Sequence, residues 1–221
     1  MSEIQDAAVL ADSKDSRESG HSNYRLMKRP TELLIIFLIL PGWLIAMAVI
    51  ALLIKLDSPR EPVFFLQERT GRHGKRFRML KFRTMVQDAG RKYEQYAHLN
   101  VRKWPEVKIP NDPRVTRIGK ILRPLHLDEL PQIWNVIRGE MSLVGPRPSS
   151  WQPDQLNDLQ KIRLSVPPGI TGPWQLAQTE TTYFEERAQM DVEYIRNMSL
   201  FGDVMLVGRT FWCLLSGRFN C

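Results

Sequence analysis

Cysteine is scarce in this chain: the 221 residues include only Cys213 and Cys221. The sequence also has no internal repeat and no low-complexity tract. Two cysteines are too few for a metal cluster or for the disulfide framework of a small secreted domain. A reduced, cytoplasmic setting is therefore the better interpretation.

Motifs for nucleic-acid recognition are also missing. Neither a reading helix nor an aromatic RNA-binding motif is recognisable, and the basic residues cluster around acids that would repel a phosphate backbone. The chain is nevertheless basic, with a net charge of +7 and a pI near 9.6. This balance suits an anionic membrane surface or phosphorylated substrates, and no nucleic acid is expected as a partner.

Charged residues are absent from residues 33–54, LLIIFLILPGWLIAMAVIALLI. A run of about 20 apolar residues is long enough to span a bilayer. Pro41 inside the run favours a kink. Lys28 and Arg29 precede the run and Lys55 follows it, as expected if both ends stay on the cytoplasmic side. Two alternatives stay open: a re-entrant helix that bends at Pro41 and returns, or a single span.

The sequence divides into three parts. Residues 1–24 are polar and predict a disordered tail, residues 25–56 a membrane anchor, and residues 57–221 a cytoplasmic domain with a proper core. A signal peptide is not expected, because acidic residues precede the apolar run and no small-residue cleavage site follows it. Residues 200–215 are apolar but include two charges, which predicts an amphipathic helix at the membrane interface or against the core.

The domain alternates between strand-like and helical patterns, which predicts an α+β fold that is mostly helical. Residues 62–67 and 77–85 flank the turn sequence of residues 71–74 and predict a hairpin. Further helices are predicted at residues 86–99, at 117–122, from Asp128 onward, and at 151–164 and 182–197.

Two adjacent carboxylates, Asp128 and Glu129, lie in LHLDELPQIW at residues 125–134. They could simply cap a helix and complement its dipole. Because neighbouring residues do not share a helix face, they could instead perform two tasks, one attacking phosphorus and the other holding Mg²⁺. Arg123 lies nearby, and Arg147 is stiffened by a proline on each side, which suits phosphate binding. Together with the apolar run, these residues predict phosphate chemistry on a lipid.

Four blocks resemble one known family. They are FFLQERTGRHGKRFRMLKFRTM, NDPRVTRIGKILR, LRPLHLDELPQIWNVIRGEMSLVGPRP and PPGITGPWQ. In this order they closely resemble the bacterial sugar transferases, the monotopic polyprenol-phosphate phosphoglycosyl transferases. The likeness covers about residues 28–211, and apart from the tail the chain is similar to the catalytic unit alone.

The resemblance implies transfer of a sugar 1-phosphate from a UDP-sugar to a polyprenol (undecaprenyl) phosphate, with release of UMP, as the first membrane step of glycan assembly. Asp128 matches the nucleophile, which forms a covalent aspartyl sugar phosphate, and Glu129 its partner acid. The two carboxylates would hold Mg²⁺ or Mn²⁺. The phosphate-binding residues that the resemblance implies are Lys81, Arg123, Arg147 and Asp191. Arg83 and Arg114 are added because they belong to the basic residues that fall on both sides of the acidic pair. The implied anchor residues are Lys28, Arg29 and Pro41, and this match favours the re-entrant helix over the single span.

The resemblance also implies membrane lipids as partners and a location on the cytoplasmic face of the bacterial inner membrane, with a homodimer left open. Two departures from the family pattern concern His126, where Ser or Thr is usual, and the residues after Trp174, which lack an expected Gly-Arg. They put the sugar preference in doubt more than the reaction. The alternative is a catalytically idle, membrane-anchored assembly or binding protein of a polysaccharide pathway.

Overall fold

The computed structural model describes residues 2–101, 109–176 and 184–216. Its first element is a long helix, α1 (Ser2–Asp57), which contains Pro30 and Pro41. One part of it, Leu26–Asp57, is long and apolar enough to cross a membrane. The helix also includes the backbone of residues 2–24, for which the sequence predicts a disordered tail. The kink at Pro41 and the boundaries between tail, anchor and domain stay predictions.

The apolar part of α1 has two different faces. One face is buried against the rest of the chain through Tyr24, Glu32, Ile36, Ile50 and Ile54. The other face is apolar and 58–70% exposed at Leu34, Phe37, Leu38, Ile45, Leu52 and Leu56. The buried residues recur at helical spacing from one end of this segment to the other. The segment therefore lies along the domain and does not project away from it.

The predicted hairpin is confirmed. Strands β1 (Phe64–Thr70) and β2 (Arg76–Phe82) pair antiparallel, with Phe65 opposite Lys81. The turn between them places His73 and Gly74 at positive φ, 56° and 75°, a conformation that glycine adopts without strain. This hairpin brings Lys81 to the domain interior.

A second, parallel pair of strands was not predicted from the sequence. Strands β3 (Ser142–Val144) and β4 (Gly169–Thr171) pair, although the sequence predicts a strand at neither place. Three residues are too few to show an alternating pattern. The two backbones approach so closely that a Cβ at Gly169 would lie 2.1 Å from the Gly145 nitrogen, so this position requires glycine.

Most helices of the domain are shorter than predicted. The expected helix over residues 86–99 is α2 (Tyr93–Tyr96) with a following 3₁₀ turn. Asp128 does not cap a helix: it lies in a 3₁₀ turn, Leu127–Glu129, and α4 (Gln132–Ile137) has Pro131 at its N-cap, where a missing amide is tolerated. The others are α3 (Gly119–Leu122), α5 (Asp158–Ile162), α6 (Pro173–Leu176), α7 (Phe184–Arg196) and α8 (Leu200–Ser216).

The hydrophobic core has two clusters, and α1 contributes to both. In one, Ile36 of α1 packs with Met79 of β2 and Val136 of α4. In the other, Ile50 and Ile54 of α1 pack with Phe82 and Leu122. The two clusters hold β2 and α4 on α1, and these two elements flank the acidic pair.

Candidate active site

Asp128 and Glu129 are held in a sharp bend of the chain. His126, the residue before the 3₁₀ turn Leu127–Glu129, has φ 51° and ψ 18°, a left-handed conformation in which histidine is enriched among non-glycine residues. Pro131 then starts α4. The bend turns both carboxylates inward, and Asp128 and Glu129 are only 9% and 8% exposed.

Glu129 lies between two cations from different parts of the chain. Lys81 Nζ of β2 lies 2.6 Å from Glu129 Oε1, and Arg147 Nη2, three residues after β3, lies 3.1 Å from the same oxygen. Burial by itself would raise the pKa of Glu129, but the charges of Arg147 and Lys81 outweigh it and hold that pKa well below its usual range. Glu129 is therefore ionised at neutral pH.

The pKa of Asp128 is shifted in the opposite direction. Burial raises its pKa above the ordinary value, Lys81 opposes this shift, and the neighbouring Glu129 charge reinforces it. A more basic carboxylate is a stronger nucleophile once it is ionised, and the nearby cations favour that ionised form. Two adjacent acids thus have pKa values pushed apart, as is common where they have different roles in catalysis.

Arg147 is supported from behind by a buried pair. Arg163 donates from Nη2 to the Arg147 carbonyl at 2.9 Å and from Nε to Asp191 Oδ2 at 2.8 Å. Asp191 is fully buried, and burial raises its pKa to about 6 despite Arg163. Asp191 was predicted to contact substrate phosphates, but this geometry suits a residue that fixes the Arg147 loop.

The predicted basic residues do not all meet at the acidic pair. Lys81 and Arg147 contact Glu129, and exposed Arg123 lies close enough for its charge to lower the pKa of Asp128. Arg114 is buried in a two-bonded ion pair with Asp112, with distances of 2.9 and 2.7 Å, and donates to the Ala89 carbonyl. Arg83 donates to the Pro62 carbonyl. The guanidinium of Arg114 therefore donates its hydrogen bonds to groups inside the protein.

The predicted anchor residues Lys28 and Arg29 fix α1 to the domain. Lys28 pairs with Asp203 of α8 and donates to the Val144 carbonyl at 3.1 Å. Arg29 donates to the carbonyls of Val136 and Ile137 at the end of α4. The Val136 carbonyl also accepts from Gly139 N at 2.9 Å, and Arg29 adds side-chain donors to both carbonyls, so it contributes to the C-terminal cap of α4. α1 is thereby tied to the helix that follows the acidic pair.

Three residues of the site were missed from the sequence. Asn135 Oδ1 accepts from Leu80 N at 2.9 Å, and its Nδ2 donates to the Arg78 carbonyl at 2.8 Å. The amide thus pairs with the open edge of β2 as a further strand would, and fixes Lys81 relative to Glu129. Trp174 stacks with Arg147 and Arg187, at 5.7 and 5.0 Å from ring centroid to guanidinium carbon. The third, Arg69, has a pKa lowered to about 10 by burial and by the nearby Arg147 charge.

A signal for Asn135 was available, because it lies inside the same sequence block as Asp128. The missing Gly-Arg after Trp174 falls in residues 177–183, outside the described part of the chain. The nearby indole is held against two guanidiniums, which sequence spacing alone does not reveal.

A divalent metal fits only part of this site. Among the described residues, no group of three or more His, Cys, Asp or Glu side chains could hold an ion. Asp128 and Glu129 supply carboxylate oxygens, and both cations contact the same Glu129 oxygen, Oε1. Mg²⁺ is commonly held by one or two carboxylates together with substrate phosphates and water. The donor set therefore fits an ion that arrives with a phosphorylated substrate.

Comparison with known proteins places the chain in one family. The family model for bacterial sugar transferase matches residues 23–217. The exopolysaccharide production protein ExoY of Rhizobium meliloti is 40% identical over 164 residues, 71% of this chain and 73% of that protein. The UDP-galactose-lipid carrier transferase of Erwinia amylovora is 37% identical over 205 residues, 88% of this chain and 41% of that protein.

The name of a third relative includes both a sugar donor and a lipid acceptor. The UDP-glucose:undecaprenyl-phosphate glucose-1-phosphate transferase of Escherichia coli is 40% identical over 192 residues, 83% of this chain and 39% of that protein. The chain thus spans less than half the length of the Erwinia and Escherichia relatives, but about three quarters of ExoY. The family match over most of the chain confirms what the sequence blocks predict: this chain belongs to the bacterial sugar transferase family.

Proposed function

We propose that this chain transfers a sugar 1-phosphate from a UDP-sugar to a polyprenol phosphate and releases UMP. The observation that carries the proposal is the pairing of buried Asp128 with Glu129, which binds Lys81 and Arg147. The relatives are named for transfer from UDP-sugars to undecaprenyl phosphate or a lipid carrier, in agreement with this chemistry. The sugar itself is not specified by these contacts.

In the first step, an Asp128 carboxylate oxygen attacks the β-phosphorus of the UDP-sugar. A new P–O bond forms, the bond to the bridging oxygen breaks, and UMP leaves with that electron pair. In the second step, an oxygen of the polyprenol phosphate attacks the same phosphorus and releases Asp128 as a carboxylate. Covalent catalysis of this kind divides one difficult transfer into two displacements.

The basic residues would act by charge and position. Lys81 and Arg147 contact Glu129 and can neutralise the negative charge that develops on the phosphate oxygens. A divalent ion held between substrate phosphates and the two carboxylates would supply further neutralisation. Glu129, ionised at neutral pH, keeps both cations oriented beside Asp128.

We further propose that α1 is re-entrant and that the domain lies on the cytoplasmic face of the inner membrane. Near one end of the apolar segment Lys28 contacts Val144, and at the other Asp57 accepts from Ile118 N at 3.4 Å. A straight 32-residue helix would be about 48 Å long, longer than the roughly 30 Å bilayer core. A single span would separate two ends that contact the same domain.

The same topology suits α8 as an interfacial helix. Its apolar residues Phe201, Phe211 and Trp212 are 63–77% exposed, and Asp203 joins it to α1.

Labelling can test the arrangement with single cysteines at the positions of Asn23 and Arg60, in a chain with Cys213 and Cys221 replaced by serine. Both should react only from the cytoplasmic side of inner-membrane vesicles. Labelling from opposite sides would show a single span.

The reaction can be tested with donor alone and no acceptor. Wild-type protein mixed with a panel of UDP-sugars should release at most one equivalent of UMP and gain the mass of a sugar phosphate at Asp128. Asp128→Asn should do neither, while its fold, followed by circular dichroism, and its vesicle binding persist. Adding undecaprenyl phosphate should remove the adduct from the wild type. If no donor yields UMP or adduct, the chain is better described as an idle assembly or binding protein.

A further inference from the structure

Phe65 shares a face of the hairpin with Lys81. It lies directly opposite Lys81 in the β1–β2 register. Directly opposed residues of an antiparallel pair point to the same side of the sheet. On that side Lys81 Nζ lies 2.6 Å from Glu129. Phe65 therefore stands beside the acidic pair, although it is not one of the reacting groups.

The ring of Phe65 is exposed and lies next to a second cation. Phe65 is 44% exposed, and its neighbours Phe64 and Leu66 are 42% and 53% exposed. The guanidinium carbon of Arg83 lies 5.9 Å from the Phe65 ring centroid. An apolar ring is thus placed between Lys81 and Arg83, an arrangement that suits a ligand with an anionic head and an apolar tail.

This end of the hairpin also adjoins the membrane segment. The ring of Phe64 stacks on Phe82, with centroids 5.5 Å apart and planes 17° apart. Phe82 in turn packs against Ile50 and Ile54 of α1. Phe64 and Phe82 point to the face of the hairpin opposite Phe65, so the end of β1 that carries Phe65 contacts α1 through its other face.

We propose that Phe65 forms the subsite for the first isoprene units of the polyprenol phosphate acceptor. The proposal rests on the proposed transferase function and assigns one side of its site to the acceptor lipid. The acceptor phosphate must reach the phosphorus on Asp128, and its chain must leave toward the membrane. Phe65 shares a face with Lys81 beside the acidic pair, and the end of β1 that carries it contacts α1. A nucleobase could also stack on Phe65, but the exposed apolar face of α1, which contacts this end of the hairpin, suits a lipid chain better.

Kinetics of Phe65→Ser, with Leu66→Ser as the matched control, test this assignment. Leu66 is the next residue, is similarly exposed and points to the opposite face of the hairpin. Losing burial of an aromatic side chain should raise the KM for undecaprenyl phosphate by about tenfold or more in Phe65→Ser. The KM for the UDP-sugar should stay unchanged. Leu66→Ser should change neither, and Phe65→Leu should recover most of the acceptor affinity.

The alternative outcomes are separable. A raised KM for the UDP-sugar would assign Phe65 to the nucleobase and overturn the proposal. An equal loss of vesicle binding and acceptor affinity in Phe65→Ser and Leu66→Ser would show general membrane contact, which also overturns it. An unchanged acceptor KM in Phe65→Ser would overturn it directly. Failure of the wild type to release UMP would instead count against the proposed function.

Discussion

Glu129 and Asp203 are both buried carboxylates that bind more than one donor, yet their surroundings differ. Asp203 of α8 accepts from Tyr24 at 2.8 Å and from Lys28 on Oδ2, and from Tyr194 at 2.7 Å on Oδ1. Both of its oxygens are used, and its partners come from α1 and α7. Glu129 binds both Lys81 and Arg147 through Oε1.

The difference distinguishes a contact that joins helices from the proposed reactive site. The Asp203 cluster joins three helices, and its cation, Lys28, lies between the carboxylates of Asp203 and Glu32. The Glu129 cluster has two cations, and only the additional carboxylate of Asp128 balances them. In the proposed mechanism, attack by Asp128 would replace that carboxylate charge with the negative charge of the new acyl phosphate, which the two cations can then neutralise. The same type of ion pair therefore stabilises the fold in one place and can stabilise an intermediate in the other.

The largest expected effect on activity comes from breaking the Glu129 cluster. Glu129→Gln removes the charge that orients Lys81 and Arg147. By analogy with loss of other transition-state electrostatic groups, turnover should fall about 10²- to 10³-fold. Circular dichroism should show a retained fold. Turnover within about twofold of wild type would mean that this cluster, like the one at Asp203, is only structural.

The largest expected effect on stability comes from the other cluster. Asp203→Asn leaves Lys28 without its close partner, and breaking a buried ion pair typically costs about 3–5 kcal/mol. Because Lys28 keeps some solvent contact, with its side chain 14% exposed, we expect about 3 kcal/mol. Thermal unfolding in detergent would measure this as a lowered midpoint.

Asp158→Asn provides the control for this change. Its carboxylate is fully exposed, and the same substitution there should alter stability by no more than about 0.5 kcal/mol. Equal midpoints for the two variants would contradict the structural role of Asp203. Protein of the Asp203→Asn variant that stays folded should still form the Asp128 adduct.

How well the sequence predicts these clusters depends on how far apart their residues lie along the chain. The acidic pair and the hairpin with Lys81 could be recognised because each is set by local pattern and motif. The partners of Asp203 could not, since Tyr24 and Lys28 lie more than 170 residues away. Arg114 was assigned to phosphate because its charge is visible in sequence, whereas its pairing with Asp112 inside the protein is visible only in three dimensions.

The fold shows the same limit. Long apolar segments such as α1 and α8 follow from composition, but β3 and β4 are three residues each and form only when distant segments meet. Asn135 lies in a recognisable motif, yet its use as a substitute strand on β2 depends on how α4 packs. Local chemistry could thus be predicted, and the contacts that align it could not.

The smallest expected effect concerns the pH dependence of Asp128. In the proposed mechanism Asp128 attacks only when it is ionised, and burial raises its pKa. Single-turnover UMP release should therefore fall with decreasing pH at a higher pH than an ordinary carboxyl group would give. This fall in rate at low pH is the acid limb of the pH–rate profile. Arg123 opposes the raised pKa. Arg123→Gln should therefore move the acid limb to still higher pH, by a fraction of a pH unit. Lys120→Gln, an exposed change of the same charge three residues away, should leave the limb in place. An unmoved or lowered limb in Arg123→Gln would show that Arg123 does not act on Asp128. The Asp203 cluster has no reacting carboxylate, so a shifted limb in Asp203→Asn would contradict the separation of the two sites.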